Sequence, residues 1–318
     1  MILKNSVALV RKTYQEWNDD KAPRLGAALA YYTVFSIAPL AMIAIAIVGA
    51  VYGEDAAQGL VAKELRNTVG PAGAEVVQDI IKHASHPGTG ILATVIGFGT
   101  LLFGAAGGFW QLQDALNTVW KVAPKPGRGL LGTIRDRLFS FLLVVAVGFF
   151  LLASLAVTTA LAAVSQTIHL PELPGGFSVW QLVNGVVSFL SITLLFAVVY
   201  KVLPDVRIPW GDVWTGAALT ALLFTIGKHL LGLYLGYVGM ASEYGAAGSL
   251  VVLIFWVYYS AQVFLFGAEF TRVHAEQHAS WILPADNAVF LKCEDLVRQG
   301  ILRSGEIAAA ARAAERNR

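Results

Sequence analysis

Six long apolar runs divide the chain, at about 25–52, 90–110, 138–164, 179–199, 213–235 and 246–270, with polar stretches between them. About 20 apolar residues suffice to cross a hydrocarbon core as an α-helix. The pattern therefore predicts an all-α, polytopic membrane protein with six transmembrane helices. The first run, Leu25–Tyr52, has no formal charge and contains Pro39, whose missing N–H predicts a hinge near Phe35–Pro39. Gly26, Ala27, Ala28 and Ala30 give that helix a small-residue face suited to close contact. The second run carries Gly97, Gly99, Gly104, Gly107 and Gly108, which permit close approach or bending, and it ends in polar Gln111, Gln113, Asp114 and Asn117. In the fourth run Asn184, Ser188 and Ser191 recur on one helical stripe. Hydrogen bonding between helices and a substrate pathway both account for it.

The polar stretches have their own periodicity. Over residues 1–24, Leu3, Val7, Val10, Tyr14 and Trp17 recur at spacings of four and three, the stripe of an amphipathic helix. Such a helix either lies on a membrane surface or packs on the protein's own cytoplasmic side. No cleavable signal peptide is expected, because this stretch is charged before the first long apolar run begins. Residues 53–89 mix charges with two short amphipathic patterns broken at Gly70-Pro71, and predict an external helical loop. Residues 271–318 predict a cytoplasmic helical tail, weakly apolar at Val289, Leu291, Leu296, Val297, Ile301 and Leu302. That tail is too small for an independent catalytic domain.

Composition and charge sharpen this picture. The chain is 56% hydrophobic and only 14% charged, where a soluble domain carries about 25% charged residues. Its mean hydropathy is +0.63. The single cysteine, Cys293, excludes an internal disulfide. Lys and Arg are unevenly placed: five before residue 25, five in 121–137, two in 200–212 and seven from 271 onward, against three in the opposite set of loops. By the positive-inside rule this puts both termini in the cytoplasm.

Candidate chemistry is sparse. Lys228, followed by His229, lies inside the fifth run, and an ionisable group there costs roughly 2.5–3.5 kcal/mol on insertion scales, so it marks a candidate site. Glu243, in the outer link, is a candidate counter-ion for Lys228; snorkelling of Lys228 toward water and lipid phosphates is the other reading. Glu269 lies at the cytoplasmic edge of the sixth run, too far from Lys228 to pair with it. With Asn184 and Asp114 these residues form the expected substrate or ion pathway, lined by the first, second, fifth and sixth spans. His83 and His86, and His274 and His278, have spacings that suit a metal, but the second pair lacks the adjacent Glu of a zincin motif, so no metal is assigned. No cofactor, nucleotide or nucleic-acid signature is present in the sequence, and the cations are spread along a membrane face rather than gathered in a groove. The expected partners are membrane lipids, with a homo-oligomer left open.

Several stretches resemble a known family, the YihY/virulence factor BrkB proteins of bacteria. They are Arg24-Leu25-Gly26-Ala27-Ala28-Leu29-Ala30-Tyr31-Tyr32-Thr33, Phe35-Ser36-Ile37-Ala38-Pro39-Leu40, Trp120-Lys121-Val122, Leu203-Pro204-Asp205, Gly245-Ala246-Ala247-Gly248-Ser249-Leu250 and Ala268-Glu269-Phe270. The resemblance covers roughly residues 10–275 and implies a multi-span inner-membrane protein with no securely established reaction. Some members once carried a ribonuclease BN label; no nuclease acid–base set in this sequence supports it. Links of other members to serum resistance and envelope lipids imply transport or export. The expected function is thus a transporter or envelope-lipid export factor for an anionic or amphiphilic substrate, not an enzyme. The alternative is a non-transporting membrane scaffold, and a membrane ribonuclease comes last.

Overall fold

A computed structural model of the chain describes residues 2–53, 107–125, 172–173, 177–238, 246–278 and 282–291, with isolated helical positions between them. Helix α1 spans Ile2–Asp19 and α2 spans Ala22–Tyr52. At their junction Lys21 takes a left-handed φ of 55°. Pro23 then falls in the first turn of α2, where its missing N–H costs no intrahelical bond. The first apolar helix thus begins three residues before the expected Leu25. It stays helical through Pro39 and closes at Gly53, whose φ of 87° lets its N–H reach the Gly49 carbonyl at 2.9 Å.

Helix α3 covers 107–119, so the end of the second apolar run continues as helix through Asp114 and Asn117. Strand β1, Val122–Pro124, follows it. Strands β2, Glu172–Leu173, and β3, Phe177–Ser178, form an antiparallel hairpin that leads into α4, Val179–Val202. After β4, Val206–Arg207, come α5, Trp210–Val238, and α6, Ala246–Gln277. Among the described residues, α4 and the Leu250–Gln277 part of α6 are long and apolar enough to cross a membrane. The expected third span, Glu243, His83, His86 and the tail beyond 291 lie outside the described residues.

Two antiparallel registers organise the bundle. Along α5 and α6, Asp212 stands level with His274. Gly216 meets Thr271, Thr220 meets Gly267, and Gly227 meets Tyr259. Along α1, α2 and α6, Lys12 bonds Glu276, Glu16 bonds Arg272, Gly26 meets Gln262, and Ala30 packs with Leu253 and Val257. Helix α6 is therefore central, flanked by α5 on one side and by the α1–α2 rod on the other. Its 32 residues make about 48 Å at 1.5 Å per residue, against about 30 Å of hydrocarbon. The end of α6 that carries Arg272 and Glu276, with α1 running along it, forms the base of the bundle.

The base also gathers the other chain segments. Helices α3 and α4 end there, and α5 starts there. The main apolar cluster joins Leu116, Val119 and Trp120 of α3 to Tyr200 of α4, Ile208, Val213 and Ala217 around the start of α5, and Leu265 and Ala268 of α6. Only Thr193, Ala197 and Tyr200 of α4 are buried, all toward the base, while Leu182, Val186 and Leu190 are exposed on one side of its far half.

Three expectations need correction. First, of the two places expected for α1, packing on the protein uses little of the apolar stripe: Trp17 packs against the main apolar cluster, Val7, Val10 and Tyr14 are exposed, and the face carrying Thr13, Glu16 and Asp20 turns inward. Second, the tail is not helical throughout. Helix α6 runs on to Gln277, and then β5, Leu283–Pro284, and β6, Ala288–Phe290, pair antiparallel with β4 and β1. Third, Ala74 of the expected external loop is buried with Ala30, Leu253 and Val257, a place that its single methyl group fits.

Candidate functional site

The densest polar cluster lies in the base, where α1, α3 and α6 meet. Arg272 is its centre, with a side chain only 4% exposed. It donates from Nη2 to Glu16 Oε2 at 2.5 Å and to Glu269 Oε2 at 3.2 Å, and from Nη1 to Glu276 Oε1 at 2.6 Å. Its Nε reaches Glu269 Oε2 at 3.3 Å. Glu269 and Glu276 lie one turn before and after Arg272 on α6, so helical spacing alone brings three of these groups together. Glu16 comes from α1. Lys12 of α1 adds a bond to Glu276 Oε2 at 3.1 Å at the exposed rim.

A second pair deepens the cluster. Asp20, at the α1–α2 turn, is buried and ion-paired with Lys121. Lys121 holds a left-handed φ of 55°, a conformation costing about 1–2 kcal/mol in a residue with a Cβ. The turn it makes ends α3 and aims the ammonium at Asp20. Glu16, Asp20 and Glu269 stand close enough to hold a metal ion between them. Arg272 and Lys121 already occupy oxygens of all three carboxylates and offset two of the three charges, so this trio is a poor fit for a metal.

Beside it, Asp205 ties three segments. Its Oδ2 accepts from Asn117 Nδ2 at 3.0 Å and its Oδ1 from Asn287 Nδ2 at 3.1 Å, while its N–H donates to Asn117 Oδ1 at 2.9 Å. Asp205 thereby joins α3, the α4–α5 turn and the strand pair of the tail. Farther out, Asp286 accepts from exposed Arg207 at 2.6 Å, and the Asp286 carbonyl accepts from Lys125 at 2.7 Å.

Of the expected pathway residues that the structure describes, only Glu269 joins a network; Glu243 lies outside the described residues. Glu269 is completely buried, and its Oε1 has no hydrogen-bond partner among the described residues. Lys228 is partly buried on α5, beside the tight contact of Gly227 with Tyr259. By the α5–α6 register it stands about ten residues, or about 15 Å, from the level of Glu269. The two charges occupy different depths. His229 and Asn184 are exposed, as is Asp114, and Asn117 one turn later takes the interior place instead. Sequence reasoning gave no site role to Glu16, Asp20, Lys121, Asp205 or Arg272, although Lys121 and Asp205 lie in motifs that carry the family resemblance. Spacing along α6 hints at Arg272, whereas Asp20–Lys121 and Asn117–Asp205 join residues far apart in sequence.

The sequence matches known proteins. The sequence model described as virulence factor BrkB matches residues 13–287, which take in the charged base, β5 and Asn287. A UPF0761 membrane protein of Pseudomonas aeruginosa is 30% identical over 262 residues, covering 78% of this chain and 58% of that protein. One from Ralstonia nicotianae is 26% identical over 264 residues, covering 82% and 57%. One from Aggregatibacter aphrophilus is 25% identical over 265 residues, covering 83% and 90%. The chain thus spans less than three-fifths of the length of the Pseudomonas and Ralstonia relatives. No solved structure matches it. By these matches the chain belongs to the virulence factor BrkB family and is an integral membrane protein.

Proposed function

We propose that this chain is a six-span protein of the bacterial cytoplasmic membrane, with both termini inside, that moves an anionic or amphiphilic substrate, envelope lipid being the best fit. The observation that carries the reading is the buried network of Arg272, Glu269, Glu16, Lys121 and Asp20, which joins three separate helical segments. A buried ion network is rarely the cheapest way to pack a base, and apolar side chains of equal volume often serve as well or better. Its use here is as a cytoplasmic gate: ion pairs between helices break and re-form as discrete arrangements, in the manner of hinge and shear transitions.

The six-span count has geometric support. Helix α2 leaves the base, α3 and α4 run toward it, α5 leaves and α6 returns. We assign the remaining crossing to the apolar run 138–164, which lies outside the described residues. The segments meeting at the base are also those richest in Lys and Arg, as cytoplasmic placement requires. Lys228, far from the base on α5, offers a positive charge to an anionic headgroup in the outer half of the membrane.

Proteoliposomes of phosphatidylcholine with a trace of fluorescent phosphatidylglycerol test the reading, with quencher access measuring transfer between leaflets. Wild-type protein should speed transfer above protein-free vesicles. Glu269→Gln should slow it about tenfold, the scale of an interaction worth about 1.4 kcal/mol, and Lys228→Ala should slow the anionic lipid more than a zwitterionic one. Wild-type transfer no faster than in empty vesicles would overturn the proposal.

The scaffold reading retains one specific observation: β5 and β6 clip two cytoplasmic turns into a platform. Removing residues 292–318 leaves this platform in place and tests a scaffold that uses the tail together with it: a transporter keeps its transfer rate after this cut, and such a scaffold loses its partners.

A further inference from the structure

On the other side of α6 from the Arg272 network, three side chains of another character converge. Asp212 lies in the first turn of α5, and His274 and His278 lie four residues apart at the end of α6. Each can offer one donor atom, and these atoms all fall within 4.8 Å of one another. His274 Nε2 is 3.9 Å from Asp212 Oδ1, and the two imidazole rings have centroids 4.2 Å apart.

The geometry points to a site for one divalent first-row transition ion, with zinc the best match, held by Asp212, His274 and His278. Imidazole and carboxylate together suit zinc and its neighbours better than calcium or magnesium. Donors at the usual zinc distances stand about 3.4 Å apart around a tetrahedral ion. Closing separations of at most 4.8 Å to that value takes side-chain movement of up to about 1.4 Å, and exposed His278 has open space on one side for it.

Hydrogen bonding prepares the rings for this role. His278 Nδ1 lies 2.9 Å from the backbone carbonyl of His274. A carbonyl only accepts, so Nδ1 carries the proton and the lone pair of the neutral ring sits on Nε2. That is how metal-binding imidazoles are commonly oriented, through a bond from the second nitrogen to a carbonyl or carboxylate. The His274 ring is held by stacking on Phe270, with centroids 5.9 Å apart and planes at 10°. Its buried Nδ1 has no hydrogen-bond partner among the described residues. Partial exposure of His274 and His278 leaves a way in for the ion.

Such an ion would clamp the start of α5 to the end of α6. Three protein ligands leave a fourth position for water, the pattern of open zinc sites. Histidines near a helix C-terminus also interact favourably with the helix dipole, and the test separates the two roles. The proposal stands apart from the transport reading and does not depend on it.

The full chain, purified in detergent without a polyhistidine tag and stripped with a chelator, is dialysed against zinc chloride. Zinc per chain is then counted by mass spectrometry, and thermal unfolding is measured with and without the ion. The expected result is one zinc retained per chain and a raised Tm, since an ion that binds only the folded state stabilises it. His278→Ala should weaken retention at least tenfold and remove the Tm response, while its zinc-free Tm stays that of the wild type. The His83→Ala, His86→Ala double variant should keep both. Wild-type protein retaining less than half an equivalent, or His278→Ala retaining as much as wild type, overturns the proposal.

Discussion

Truncating Arg272 to Ala removes the guanidinium that serves three carboxylates. Their surroundings set the cost. Glu276 is 38% exposed and remains close to Lys12, so loss of that pair costs about 0–1 kcal/mol. Glu269 is completely buried and Glu16 nearly so, with 0% and 14% side-chain exposure. Breaking a buried pair by removing one partner costs about 3–5 kcal/mol, because the remaining charge has no water to return to. Arg272→Ala should therefore destabilise the protein by about 3–5 kcal/mol, while Glu276→Ala should cost less than about 1 kcal/mol. Combining Arg272→Leu with Glu269→Gln should cost less than the two single changes added together, since residues in contact couple by about 0.5–3 kcal/mol. Reversible unfolding in mixed micelles gives these values, with buried Trp120 as a fluorescent reporter of the base. An Arg272→Ala protein within 1 kcal/mol of wild type, or single changes that simply add, would refute the buried-network account.

Other consequences follow from neighbouring contacts. Asp205→Ala deletes the acceptor for both Asn117 and Asn287 and should lower stability by about 2–3 kcal/mol in the same assay. Arg207→Ala breaks an exposed pair with Asp286 and should change stability by less than about 1 kcal/mol, with that small effect vanishing at high salt. A Cβ on Gly216 would overlap the Thr271 side chain and crowd its backbone, whereas at Gly211 it meets open space. Gly216→Val should thus abolish a monodisperse peak in detergent chromatography, and Gly211→Val should leave it intact. A chain ending at Leu291 keeps β5 and β6 and should purify normally; one ending at Ser280 loses both strand pairs and should aggregate.

The apolar helices were legible because length and hydrophobicity act locally. Runs read at 179–199, 213–235 and 246–270 correspond to helices Val179–Val202, Trp210–Val238 and Ala246–Gln277. The extra turns hold polar residues such as Asp212 and Glu276, which hydropathy cannot tell from a loop. The base was much less legible. Asp20 and Lys121 are a hundred residues apart, and each reads as an ordinary charge flanking a span. Strands of two or three residues are too short to show alternation, so β5 and β6 hid inside an apolar pattern that suited a helix. The same limit concealed the third member of the histidine cluster. His274 and His278 announce each other by spacing, but Asp212 joins them only through the antiparallel register of α5 and α6. Lys228 stood out for the opposite reason, being a charge inside an apolar run, yet the structure gives it no ion-pair partner among the described residues.

The account rests on one face of the membrane holding the whole base, and cysteine labelling tests that directly. In a Cys293→Ser background, single cysteines replace four exposed residues of the base: Arg11, Lys125, Arg207 and Asp286. A membrane-impermeant maleimide is then applied to intact spheroplasts and to inverted membrane vesicles. All four positions should label in inverted vesicles and stay protected in spheroplasts. Labelling of any one of them from outside the spheroplast would contradict the account.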